Sequence, residues 1–346
     1  MAAVSTGSTS QKERMDARPS EASVIFLEVD RGDATIVLVP GGGEAILVDC
    51  GVGSAATVLD LLDRAKVRLL SLVTITHSDL DHAGGVVEFL NNFEGQTARI
   101  AFLPDRVRTG VDADRSYRVL LREMAQLLRQ GVTPVDPYAG TRFEFGELIL
   151  SVLHPAKADF LDALSRNNRN DASVVLRVEY QERRILLAAD VQKQGWQWMK
   201  DRGTDLSADI FKFPHHGAWY DGSPSLAEIL DLVHPSTVIM SVGSGNQYEH
   251  PSMETLQLLR AHSPGVRVMC TQVTGKCHED LSSVSSKARA ILEGTDWQTQ
   301  GNKACPCGGT IVAHMSKEVL ELIPSQELHH KVIALLDCPQ CSTPLG

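Results

Sequence analysis

The chain has 346 residues and a formal net charge of −10, with 43% apolar and 22% charged residues, proportions ordinary for a soluble globular protein. No run approaches the ~20 apolar residues that would span a membrane. The acidic balance excludes a chain-wide basic surface for nucleic acid and leaves room only for a local one, such as Arg106, Arg108, Arg115, Arg118 and Arg122 around one helix, a run read first as a solvated face. Residues 1–22 are rich in Ser, Thr, Arg and Glu and lack an apolar core, so a disordered leader and a cytoplasmic protein are expected.

Strands are expected over 24–29, 34–39, 44–48 and 69–75. The last runs into His77-Ser78-Asp79-Leu80-Asp81-His82 and then Ala83-Gly84-Gly85. Four ligand-capable side chains at a strand end, followed by a glycine turn, point to a bound metal, because alternate residues there converge on one point. Two imidazoles with two carboxylates suit zinc, manganese or iron better than calcium or magnesium. A helix is expected over 116–130, a strand over 148–153 delivering His154, a hairpin from 173–179 and 184–189 delivering Asp190, and strands over 208–213 and 238–242. Several strand ends thus each present a ligand type, as open sheets do when they build sites. Asp49, at the end of the 44–48 strand, is read as orienting a histidine ligand rather than binding metal itself.

His215 and His216 are neighbours, and on an extended chain neighbouring side chains point oppositely, so one of the two is expected as a ligand. His250 and Tyr248 are candidates for proton donation or substrate contact. Near the C-terminus, Cys305-Pro306-Cys307 and Cys338-Pro339-Gln340-Cys341 read as two knuckles of a zinc ribbon holding one structural zinc, with disulfides or free thiols as the plainer alternative. Cys270, Cys277 and His278 form a looser set.

The hexad resembles the His-x-His-x-Asp-His signature of the metallo-β-lactamase superfamily, with Asp79 in place of the second histidine. That form is typical of the hydrolase domain of ComEC-type competence proteins and their free-standing relatives. Further similar segments follow in order: Phe26 to Ala34, Ile46 to Gly51, Leu153-His154-Pro155, Asn170 to Leu176, Leu186 to Asp190, Phe213 to Ala218 and Asn246 to Pro251, together covering about residues 23–270. Glu28, Asp30-Arg31, Ala218 and Glu249 depart from the pattern.

The resemblance implies a four-layer αββα sandwich over residues 23–295, with 296–346 as a zinc-ribbon-like appendage. It implies two divalent ions, zinc or manganese, bridged by Asp190 and a hydroxide, with His77, Asp79, Asp81, His82, His154 and His216 as further ligands. Asp81, His215 and His250 are then the catalytic residues, His215 as proton donor, while Asp49, Asn170, Ser173 and Tyr248 support them from behind. The activity expected is hydrolysis of a phosphodiester in DNA, RNA or a nucleotide. Hydrolysis of a small ester, lactone, thioester or amide, and a non-enzymatic module docking a protein partner through its ribbon, are the alternatives.

Overall fold

A computed structural model describes residues 21–341 except 30–31, 106–112, 246–247, 294, 296 and 299–303. The leader up to residue 20, Asp30, Arg31, Arg106, Arg108, Asn246 and Gln247 therefore lie outside the described residues. Seven strands come first: β1 (Ala22–Phe26), β2 (Thr35–Leu38), β3 (Glu44–Val48), β4 (Leu69–Ile75), β5 (Gln96–Thr97), β6 (Arg99–Phe102) and β7 (Thr133–Val135). A second series follows: β8 (Arg142–Phe145), β9 (Leu148–His154), β10 (Val175–Tyr180), β11 (Arg183–Leu187), β12 (Ile210–Lys212), β13 (Thr237–Met240) and β14 (Arg267–Cys270). The chain then adds β15 (Ile311–Met315) and β16 (Leu320–Ile323).

The first sheet runs β16-β15-β1-β2-β3-β4-β6-β7, with β5 beside β4, and the second runs β14-β13-β12-β11-β10-β9-β8. Alternation along the strands sorts side chains between layers. Ile46 and Val48 face the second sheet and share a core with Leu176, Val178, Ile185 and Leu187. Ala45 and Leu47 face outward, into a core with Val58, Leu61, Leu62 and Phe89 from helices Ala55–Arg64 and Val86–Asn92. On the outer side of the second sheet, Leu186 and Phe211 pack with Trp196, Leu230, Leu256 and Val284 from four further helices. Each such fully buried aliphatic side chain contributes ~1.5–3 kcal/mol relative to exposure. Parallel neighbours need long crossovers, which is why helices cover both outer faces. The four-layer αββα sandwich is thus present.

The C-terminal stretch differs from the expected appendage. β15 pairs antiparallel with β1 from Ala22↔Met315 to Phe26↔Ile311, and β16 forms the sheet edge. Ile311, Ala313 and Met315 lie in the core between the sheets. The apolar run 311–315 was overshadowed by the cysteines flanking it, and burying it completes the first sheet.

The hexad is seated on the turn after β3. Cys50 N donates to His82 O (2.8 Å), Val52 N to Leu80 O (2.9 Å) and Gly85 N to Cys50 O (2.8 Å), while Asp33 N donates to Asp81 O (2.7 Å). Gly51 is required by this close approach: a Cβ there would sit 2.0 Å from the Asp81 carbonyl oxygen. Gly51→Ala is expected to cost at least about 3 kcal/mol, because backbone rather than a flexible side chain must move. Chemical denaturation of the variant against the parent checks this, and a loss under 1 kcal/mol would contradict the seating described.

Candidate metal centre

β3 runs parallel to β4 in the first sheet and β11 parallel to β12 in the second, so the C-terminal ends of each pair open on one edge of the sandwich. β3 delivers Asp49, β4 the hexad, β11 Asp190 and β12 the turn Pro214–Gly217. Asp49 and Ala189 take left-handed backbone (φ 61° and 47°), sharp bends that turn the chain as each strand ends.

Asp190 sits between two sets of side chains. Its Oδ2 lies 3.8 Å from His77 Nε2 and 3.8 Å from His215 Nε2, and His77 Nε2 is 3.7 Å from Asp79 Oδ2. Its Oδ1 lies 3.1 Å from His82 Nε2 and 3.9 Å from His216 Nε2, and His216 Nε2 is 3.4 Å from Asp81 Oδ2. Ligand atoms each ~2.0–2.2 Å from one ion stand roughly 3–4 Å from one another. Asp81, His82, Asp190 and His216 form one such group outright.

The imidazoles are oriented for this. His82 Nδ1 donates to Asp49 Oδ2 (2.7 Å) and His216 Nδ1 to the Ser241 carbonyl (2.8 Å), so each presents its Nε2 lone pair inward. Asp49 is itself fixed by Thr76, whose backbone N–H and hydroxyl donate to its two oxygens at 2.8 and 2.7 Å. Nε2 of His77, His82 and His216 are buried without a hydrogen-bond partner. Buried nitrogens left unpaired beside Asp79, Asp81 and Asp190 are costly unless cations complete them, and the donor set fits two divalent ions.

Electrostatics distinguish the imidazoles: His77 is held neutral, while His82 and His216 are held toward the protonated form, whose proton a bound cation would replace. Burial pushes His77 down to about 4, so it is neutral and able to ligate at neutral pH. Burial also disfavours charge on His82 and His216, yet Asp190, with Asp49 beside the first and Asp81 beside the second, holds both above their ordinary value. Burial raises Asp190 and Asp81, and the neighbouring histidines outweigh it, keeping both carboxyls ionised.

Two expectations are corrected. His154, at the end of β9, is not brought to the cluster: its Nε2 donates to the Asp171 carbonyl (2.8 Å), its Nδ1 faces Asp159 Oδ2 at 3.6 Å, and its ring stacks on Trp198. It braces the turn 170–172 and the helix Lys193–Asp201, whose Gln194 and Gly195 amides donate to Asp171. His215, expected behind His216, instead lies at Asp190 Oδ2, the oxygen that His77 also faces. Both histidines have left-handed backbone (φ 48° and 54°), so the rule for extended neighbours fails and both rings reach Asp190.

The remaining residues surround this centre. His250 lies 5.6 Å from His215, ring to ring, and the exposed Tyr248 stacks on His250. Ser173 closes the turn opened by Asn170, and Val174 N donates to Thr76 O (3.0 Å), tying that turn to the end of β4. Three participants were not singled out from the sequence. Asp105, after β6, accepts from Ser78 N at 2.7 Å. Lys212, buried in β12, pairs with Asp33, which also accepts from Ser241 Oγ at 3.3 Å. A lysine inside the apolar run 210–213 was the available signal for the last pair.

The four cysteines expected as a ribbon do not converge. Cys307 and Cys341 are in contact, whereas Cys305 lies by Arg289 and Glu28, and Cys338 is exposed with its sulfur accepting from Gln340.

The chain matches the family model described as "Metallo-beta-lactamase superfamily" over residues 29–234. It is similar to "ComE operon protein 3" of Bacillus subtilis (strain 168), 26% identical over 275 residues, covering 74% of this chain and 32% of that one. It is similar to "Competence protein ComA" of Neisseria gonorrhoeae, 25% identical over 281 residues, covering 80% and 35%. The chain thus spans about a third of the length of these curated relatives. Among solved structures, the metallo-beta-lactamase fold protein YhfI from Bacillus subtilis aligns over 72% of this chain and 96% of that one, at 13% identity and a TM-score of 0.45. With that family match over most of the sandwich, and with the paired clusters about Asp190, the chain belongs to the metallo-beta-lactamase superfamily of metal-dependent hydrolases.

Proposed function

We propose that the protein is a two-metal phosphodiesterase acting on DNA, RNA or a nucleotide. The observation that carries this reading is Asp190, whose two oxygens each face a separate imidazole–carboxylate set. Two divalent ions held there, as zinc or manganese, would supply Lewis acidity to the phosphoryl group and an activated water as nucleophile. His77, Asp79, His215 and Asp190 would hold one; Asp81, His82, His216 and Asp190 the other. Asp79, standing where the superfamily signature has histidine, makes the first set more anionic and better suited to manganese.

The protein's own groups then orient the substrate. Arg169, half-buried, pairs with Asp79 Oδ1 at 2.8 Å and offers its remaining donors to a phosphoryl oxygen at the rim. Burial and the neighbouring His215 and His216 push His250 down to about 4, so at neutral pH it meets substrate as a neutral hydrogen-bonding ring. One of the two relatives is named a competence protein, which supports nucleic acid over a carbonyl substrate in this reading. Among the described residues no helix is long and apolar enough to cross a membrane.

Hydrolysis of bis-p-nitrophenyl phosphate and of linear and single-stranded DNA tests this, with zinc- and manganese-loaded protein in parallel and Asp81→Ala as control. Turnover that chelation and Asp81→Ala both abolish is expected. Absence of turnover in protein shown to carry two ions would sink the phosphodiesterase reading and favour an ester, lactone, thioester or amide.

A further inference from the structure

A second cluster of metal-ligating side chains, sharing no residue with the Asp190 centre, lies where the C-terminal segment meets the second sheet. Cys270 ends the edge strand β14, Cys307 lies in the turn before β15, His329 is on the helix Gln326–Ile333, and Cys341 follows that helix. Cys307 Sγ is 3.4 Å from His329 Nε2 and 3.5 Å from Cys341 Sγ, and the ligand atoms of these three all lie within 4.8 Å of one another. Cys270 borders this trio: its carbonyl accepts from Gly308 N at 2.8 Å, next to Cys307, and the neighbouring Cys341 and burial together raise its thiol. All four residues are nearly inaccessible, at 4%, 1%, 0% and 5% exposure, and none of the cysteines is in a disulfide.

We propose that Cys270, Cys307, His329 and Cys341 form a tetrahedral zinc site that fastens the C-terminal segment to the edge of the second sheet. The separations fit: sulfurs each ~2.3 Å from one tetrahedral ion stand about 3.8 Å apart, close to the contacts seen. A plain apolar cluster of thiols explains the burial of the cysteines but not of the imidazole. His329 is fully buried, turns Nε2 onto a sulfur, and its Nδ1 has no hydrogen-bond partner. Three soft thiolates with one imidazole select zinc over manganese, the reverse of the bias that Asp79 gives the other centre.

The backbone already joins two of the ligand-bearing segments. Cys307 N and Gly309 N donate to Thr271 O, and Gly308 N donates to Cys270 O. Zinc adds the third, since His329 and Cys341 carry the helix that packs Val332 and Ile333 into the outer core. Because ligands from distant parts of the chain are brought together only in the fold, binding is coupled to folding. The site differs from the sequence-expected ribbon in exchanging Cys305 and Cys338 for Cys270 and His329.

The test is titration of the full-length protein with p-hydroxymercuribenzoate, with released zinc read by 4-(2-pyridylazo)resorcinol. The mercurial frees only thiolate-bound zinc, and the Asp190 centre has no thiolate, so the two sites are read separately. One zinc per chain is expected, lost in Cys270→Ser, Cys307→Ser and Cys341→Ser and retained in Cys277→Ser, Cys305→Ser and Cys338→Ser. His329→Ala should weaken retention against a competing chelator by at least tenfold, and zinc loss should lower the melting temperature by roughly 10 °C or more. Should the serine variants not fold, cobalt-loaded parent protein must show sulfur-to-cobalt charge-transfer absorption. The proposal is overturned if the parent holds no thiolate-bound metal, or if its zinc is lost with Cys277, Cys305 or Cys338 and kept without Cys270 or Cys307.

Discussion

Asp190→Asn is expected to empty both halves of the Asp190 centre and to lower phosphodiester hydrolysis on the order of 10³-fold, several kcal/mol of transition-state stabilisation. The carboxylate touches all four imidazoles of the centre, at 3.8 Å to His77 and His215 on one oxygen and at 3.1 and 3.9 Å to His82 and His216 on the other. An amide keeps the shape but removes the anion that both ions would share. His215→Ala is expected to lose one ion and keep the other, whereas His154→Ala is expected to keep both. That last variant should instead lose about 2–4 kcal/mol of stability, through a cavity under Trp198 and an unpaired Asp171 carbonyl. Metal content by mass spectrometry, with denaturation and activity on the same three proteins, separates these roles. Loss of a metal ion in His154→Ala, with His215→Ala intact, would return the ligand set to the one expected from sequence.

Lys212→Met is expected to destabilise the fold by about 3–5 kcal/mol at neutral pH, the effect of leaving a buried carboxylate without its partner. Lys212 and Asp33 are each about 5% exposed, and they join β12 of the second sheet to the turn before β2 in the first. Burial raises the Asp33 carboxyl, but Lys212 and His82 outweigh it and hold it below the ordinary 3.8. A carboxylate so depressed contributes stability that is fully present above its unfolded value and is lost as pH falls through its folded one. In Lys212→Met the same carboxyl is raised, so acidification relieves it by protonation. The difference between variant and parent should therefore be widest at neutral pH, begin to shrink as pH falls through the variant's raised value, and go on shrinking until pH passes the parent's lowered one, below 3.8. Urea denaturation across that range, with both proteins in the same metal state, measures it. A gap that widens in acid would show that Asp33 is not the group responding.

Within the two sheets, local pattern determined a large part of the outcome. Continuous apolar runs marked β3 and β4 to the residue, and the long helix expected at 116–130 spans Ala113–Arg129. The hexad, Asp49 and Asp190 were legible because ligand-capable residues stood directly after apolar strands, and parallel strands place such ends on one edge. Two things were beyond local reading. One was backbone handedness: nothing in the letters His215-His216 announces two left-handed residues, and only that conformation turns both rings to Asp190. The other was long-range partnership. His154 ends its strand as the ligand-capable residues around Asp190 do, but the Asp171 carbonyl and Asp159 claim it. Cys307 finds His329 and Cys341 rather than Cys305, and residues 311–315 pair with β1 almost three hundred positions earlier. The sequence by itself determined which residues are ligand-capable and which strands present them, because those depend on side-chain chemistry and short-range periodicity. Tertiary structure decided which ligands meet, because that depends on contacts between segments whose separation no local pattern records.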